Sequence, residues 1–124
     1  MAGRIHRRIR GLVGTLTQDE QNRVTASVGL LERQGPNLPF PHSSGISGSR
    51  HSHMRELRVQ VRGRPIRVFY AFDPRRVVIL LIGGDKTGRD DFYARLIAVA
   101  DRLYDEHLAE IAAEQARGGR RNGG

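Results

Sequence analysis

A chain of 124 residues accommodates one domain and not two ordinary ones, and its 38% apolar content gives a modest core with no surplus for a bilayer. The longest apolar run, Val77 to Ile82, is strand-sized, no apolar stretch of secretory type follows Arg4, Arg7, Arg8 and Arg10, and the lack of cysteine removes disulfides and thiolate metal sites, which suits a reducing cytoplasm. A formal net charge of +8, carried by 21 basic residues of which 20 are arginine, points to nucleic acid or another acidic partner, because the planar guanidinium pairs bidentately with phosphate.

In chain order, Ile5, Ile9, Leu12 and Leu16 recur at helical spacing and predict an N-terminal helix over residues 1–16. Thr17-Gln18-Asp19-Glu20 has the form of a capping box, and Val24, Val28 and Leu31 make one stripe of a second helix that Gly35-Pro36 ends. The two read as a helical hairpin. Residues 36–53, rich in Pro, Ser, Gly and His, predict an irregular connector.

Met54 to Arg62 alternates between apolar and polar residues, Arg62 to Pro65 reads as a turn, and Ile66 to Asp73 resumes as a strand. Asp73-Pro74-Arg75-Arg76 turns again. Val77 to Ile82, apolar at every position, predicts a central strand covered on both sides. Gly83 to Gly88 is a loop, and a long helix runs from about Asp90 to Ala116 with Phe92, Leu96, Val99 and Leu103 on one stripe. The expected fold is a single α+β domain over residues 1–116, with a three-stranded antiparallel sheet between the hairpin and the long helix, and a basic tail over 117–124. There are no internal repeats.

A loop from Arg62 to Pro65 sets Val61 opposite Ile66, Val59 opposite Val68, Leu57 opposite Tyr70 and Gln60 opposite Arg67. Leu57, Val59, Val61, Ile66, Val68, Tyr70 and Phe72 then share one face, while Glu56, Arg58, Gln60, Arg67 and Phe69 share the other. Such a polar face can cradle a phosphodiester and stack a base. The plainer reading is the solvated side of a half-buried sheet, with Glu56 salt-bridged to Arg58. The Gly83-Gly84-Asp85-Lys86 loop, and Phe69 on the polar side, favour a ligand. Charge is also segregated: residues 50–76 hold eight arginines against two acids, whereas residues 85–115 are net acidic.

Ser49-Arg50-His51, Met54 to Arg58, Arg64 to Val68, Ala71 to Arg76, Leu80 to Gly88 and Ala100 to His107, taken as an ordered set over roughly residues 17–108, resemble the HigB-like, phage-derived branch of the RelE/ParE toxin superfamily. The resemblance implies a compact toxin with a RelE-like fold, encoded beside a helix-turn-helix antitoxin, that cleaves messenger RNA on the ribosome. It implies no cofactor and no metal: a ribose 2′-hydroxyl attacks its own phosphate. By the same resemblance Arg58 and Arg67 hold the phosphate, Lys86 stabilises developing charge, and Tyr93, Asp90, His51 and Glu56 are the proton-transfer candidates, in that order. Arg55, Glu56, Gln60, Arg62, Arg64, Phe69 and Arg89 are the expected RNA grip. His51-Ser52-His53 is too common a loop pattern to imply a metal. Operator DNA is expected as a partner through the antitoxin, and a membrane is not. The family opens with a strand, whereas Met1 to Leu12 carries a helical stripe, so that strand is expected to be missing or degenerate. The alternatives are therefore a non-catalytic remnant that binds antitoxin and operator, or a gyrase inhibitor of the ParE kind.

Overall fold

Helix α1 (Gln18–Gln34) starts as its sequence requires. The Thr17 hydroxyl accepts from the Glu20 amide at 3.1 Å, and the Glu20 carboxylate accepts from the Thr17 amide at 2.9 Å, so two otherwise orphaned donors are satisfied reciprocally. Val24, Val28 and Leu31 form its buried stripe. The computed structural model describes residues 5–7, 16–88 and 91–123, with residues 5–7 and 119–123 described by backbone alone.

The sheet has five strands, where three were expected: β1 (Ile5–Arg7), β2 (Ser43–Gly45), β3 (Arg55–Val61), β4 (Arg64–Phe72) and β5 (Val78–Asp85), in spatial order β1-β5-β4-β3-β2. β1 runs parallel to β5 and all other pairs are antiparallel. Two expectations fail at the N-terminus. Ile5–Arg7 is a strand and not helix, and the opening strand expected to be missing or degenerate is present as a short one of three residues. The apolar β5 would otherwise expose an unpaired edge, and pairing there overrides a helical spacing that rests on a few residues. Of the remainder of the expected helix only Leu16, which is buried, lies within the described residues. β2 likewise forms inside the supposed irregular connector, with Ser43 opposite Leu57 and its hydroxyl hydrogen-bonded to that of Tyr70.

The β3–β4 turn is shorter than expected. Arg62 and Gly63 have φ of 49° and 82°, the left-handed pair of a two-residue hairpin turn whose twist suits the strands it joins. Val61 therefore pairs with Arg64, Gln60 with Pro65 and Arg58 with Arg67. The register is displaced by two residues, which preserves every side-chain face.

Helix α1 covers the sheet face bearing Leu57, Val59, Val61, Ile66, Val68, Tyr70, Val78 and Leu80. Helix α2 (Phe92–Gly123), longer than the expected span, covers the other face through Phe92, Leu96, Ile97, Ala100 and Leu103, which meet Phe69, Ala71, Ile79, Leu81 and Ile82. β5 is thus buried on both faces, as its composition predicted, although β4 is the middle strand. Between Phe69↔Ile82 and Tyr70↔Leu80 the register shifts by a bulge that leaves Leu81 without a direct partner. This is why Leu81 and Ile82, neighbours in the chain, enter the same apolar cluster. No helix among the described residues is long and apolar enough to cross a membrane.

At one end of the molecule α2 is fastened by buried polar groups. Asp73 accepts from the amides of Arg75 and Val77 and lies 2.9 Å from His107 Nε2, while the Tyr104 hydroxyl donates to the Phe72 carbonyl at 3.0 Å. Burial pushes the Asp73 pKa up, but the bonds from His107, Val77 and Arg75 outweigh it and hold the carboxyl below its ordinary value. A carboxyl depressed in the folded state stabilises the fold above its unfolded pKa, and that contribution is lost as pH falls through the folded value. Urea unfolding should therefore show stability falling below about pH 4, with a shallower acid limb in Asp73→Asn. Asp73→Ala, which strips partners from buried donors, should cost about 3 kcal/mol at neutral pH.

Candidate nucleic-acid interface

Arg58 and Arg67 stand directly opposite each other in the β3–β4 ladder, on the α2 side of the sheet. Two cations so placed repel unless a carboxylate lies between them. Glu56, two residues before Arg58 and hence on the same face, supplies it. Its Oε2 is 3.1 Å from Arg58 Nη1, and its Oε1 lies 3.7 Å from Arg67 Nε and accepts a 2.7 Å hydrogen bond from the Tyr93 hydroxyl. Arg67 Nη1 donates to the Ile66 carbonyl at 3.0 Å, and its Nε makes no hydrogen bond. The β5 residue paired with Arg67 is Gly84, so no side chain from that strand crowds the guanidinium.

Lys86 completes the group. Its amide donates to the Pro65 carbonyl at 3.0 Å, which fixes the start of the loop after β5, and its Nζ lies over the Tyr93 ring, 5.4 Å from the centroid. Arg58, Arg67, Lys86 and Glu56 together carry two surplus positive charges in a site partly withdrawn from water, where an anion is held more strongly than at an open surface.

The face is not the open surface expected of it. Glu56 and Arg67 are each only 3% exposed and Phe69 is fully buried, whereas the Arg58 side chain is 28% exposed and Lys86 and Tyr93 are half-buried. The reason is visible in the residues that flank the polar ones: Phe69, Ala71, Ile79 and Leu81 draw Phe92 and Leu96 onto the same face, and the first turn of α2 closes over it. The Phe69 ring packs at 6.1 Å from Phe92 and 5.9 Å from Tyr93, so it is core and has no face to offer a base. Burial, with the Glu56 hydrogen bond second, raises the Tyr93 pKa above the ordinary value of a phenol. At neutral pH the group is protonated, fit to donate a proton and not to take one.

The remaining predicted residues are scattered. Arg64 lies on the α1 side, where it bonds Asp85 at 2.8 Å and Glu20 at 2.6 Å. Arg55 also falls on that side and donates to the Ser43 hydroxyl. Their odd spacing from Arg58 and Arg67 places them there. Arg62 is exposed on the hairpin turn beside Asp19, and Gln60 is exposed on β3. His51 contacts Asp105 at 2.8 Å and packs its ring on Tyr104, whose hydroxyl reaches Phe72 at the far end of β4. Arg67 and Phe72 are about 17 Å apart along that strand, so His51 is not brought to the arginine cluster. Arg89 and Asp90 lie outside the described residues. Sequence reasoning missed Phe40, whose ring packs against the Arg58 guanidinium, 5.2 Å from centroid to carbon. An aromatic between two prolines, outside any periodic segment, was the available signal.

Residues 13–105 match the family described as Phage derived protein Gp49-like. Two curated proteins of Mycobacterium tuberculosis (strain ATCC 25618 / H37Rv) are similar to the chain. "Putative toxin HigB2" is 39% identical over 106 residues, covering 84% of this chain and 53% of its own length. "Putative toxin HigB3" is 40% identical over 95 residues, covering 76% of this chain and 82% of its own length. The chain thus spans about half of the first relative and most of the second. No solved structure matches it.

The unequal burial of the two arginines separates them experimentally. Arg67→Ala, which leaves a cavity and a less compensated buried Glu56, should cost about 3 kcal/mol in urea unfolding. Arg58→Ala, on the wet side of the same carboxylate, should cost about 1 kcal/mol or less.

Proposed function

Since the chain belongs to the Gp49-like, phage-derived family of RelE/HigB-like toxins, we propose that it is the toxin of a type II toxin–antitoxin pair and acts as a ribosome-dependent endoribonuclease. The observation that carries this reading is the cluster of Arg58, Lys86 and Tyr93 around the Arg67-bound Glu56, which offers two reachable cations and one protonated phenol within a single partly dry site.

In this reaction the ribose 2′-hydroxyl gives its proton to solvent water as its oxygen attacks the adjacent phosphorus and the bond to the 5′-oxygen breaks, giving a cyclic phosphate and a free 5′-hydroxyl. Arg58 holds the non-bridging oxygens. Lys86, in a medium of lowered dielectric, stabilises the charge that builds on them. Tyr93, protonated at neutral pH, gives its proton to the leaving 5′-oxygen. Arg67 does not touch the phosphate; it positions Glu56, and Glu56 positions Arg58 and Tyr93. The role first assigned to Arg67 by resemblance is therefore moved one contact inward. The partners of this activity are the ribosome with its messenger, and a helix-turn-helix antitoxin that silences the cluster and carries operator binding.

Induction of the gene followed by mapping of messenger 5′ ends should reveal new in-frame cuts. Soluble protein without such cuts overturns the proposal. Lys86→Ala should lower single-turnover cleavage by about 10²-fold or more with little change in the urea midpoint, because its ammonium group is not part of the core.

A further inference from the structure

On the α1 side of Arg58 lies a cleft of about 400 Å³ whose polar lining comes from Arg23, Ser27, His42, Gln60, Arg58 and Arg67, with no carboxylate among its walls. β2 pairs with β3 only as far as Leu57, and the Arg58 amide donates to the His42 carbonyl at 2.9 Å, so the cleft opens where that pairing ends. Phe40 adjoins it through Arg58. Its ring is 69% exposed, the one large apolar side chain so exposed among the described residues, and it is presented between Pro39 and Pro41. One face of the ring carries the Arg58 guanidinium and the rest meets solvent.

We propose that Phe40 and this cleft form a second nucleotide subsite on single-stranded RNA: a base stacks on the open face of Phe40, and the neighbouring phosphate lies against Arg23 and Arg58. An exposed ring backed by a cation is the usual platform for an unpaired base, since every base offers a π face and the guanidinium strengthens the stack. Phosphate is favoured by a lining of arginine, histidine, hydroxyl and amide groups. An acidic peptide would satisfy the cations and leave the ring idle, and the ring is the feature that selects RNA. The subsite rests on the nuclease reading for its biological setting, because Arg58 is shared with the proposed reaction centre, and it extends that reading by adding a stacking residue.

The chain has no tryptophan, so Phe40→Trp installs a single reporter at the platform. An oligoribonucleotide of about eight residues should quench that emission saturably, and the apparent affinity should fall with salt at a log–log slope of about −0.7 per phosphate contacted. Phe40→Ala in the otherwise unaltered protein should weaken RNA binding by about 5- to 150-fold by anisotropy, and Arg23→Glu, on the exposed face of α1, should weaken it further. An abasic strand of equal length should bind with similar salt dependence and leave the emission unquenched. The proposal is overturned if RNA leaves the Phe40→Trp emission unchanged, if Phe40→Ala binds RNA within twofold of the parent, or if polyglutamate quenches as well as RNA does. Loss of ribosomal cleavage with quenching intact removes the nuclease reading and leaves the subsite standing; cleavage intact without quenching does the reverse.

Discussion

One buried carboxylate holds the candidate site together. The β3–β4 ladder sets two arginines opposite each other on one face, an arrangement that repels in any medium and most in a dry one. Glu56 converts it into a stable one by lying between them, hydrogen-bonded to Arg58 and ion-paired with Arg67, and its hydrogen bond with Tyr93 ties the first turn of α2 to the same point. Strand pairing, helix docking and the placement of the accessible Arg58 are therefore not independent. A buried ion pair need not add net stability, but breaking one member leaves the others costly.

The alternation from Leu57 to Phe72 was enough to assign every side chain to its correct face, because faces depend on register only through its parity. The pairing itself was displaced by two residues: Arg64 and Pro65 read as turn residues, whereas left-handed Arg62 and Gly63 make the whole turn. The capping box at Thr17, the α2 stripe and the doubly buried β5 were legible for the same reason, as local patterns with one physical meaning. Coverage was not legible. Glu56, Arg58 and Gln60 announce a wet surface, and only the position of Phe69, Ala71 and Ile79 in three dimensions shows that α2 lies over most of it. β1 and β2, three residues each, are set by the neighbours they pair with and carry almost no signal of their own.

The opposed charge of the middle and the C-terminal third also acquires a structural meaning. Arg50 meets Asp101 and Asp105, Arg64 meets Asp85, and Arg75 meets Asp73 and Glu114. Through Asp101, Asp105 and Glu114 the acidic helix thus neutralises Arg50 and Arg75, away from the site, and fastens itself to the loops that carry them. At the site the balance differs, since one carboxylate serves three cations. The surplus that composition reported as a property of the whole chain becomes a local field, directed at the end where Arg58 and Lys86 reach solvent.

The unpartnered Leu81 has a bearing on how this chain tolerates change. The bulge takes up one supernumerary residue without disturbing the pairing beyond it, so Gly84 lies beneath Arg67 and Asp85 points to Arg64 although Leu81 has no partner. Loss of the Leu81 codon would only straighten the ladder, whereas loss of a codon between Ile82 and Asp85 would leave an apolar strand of nearly normal length yet turn Asp85 toward the arginine cluster and take from Arg64 its partner in the sheet. Beyond the bulge, length is under tighter constraint than hydrophobic identity.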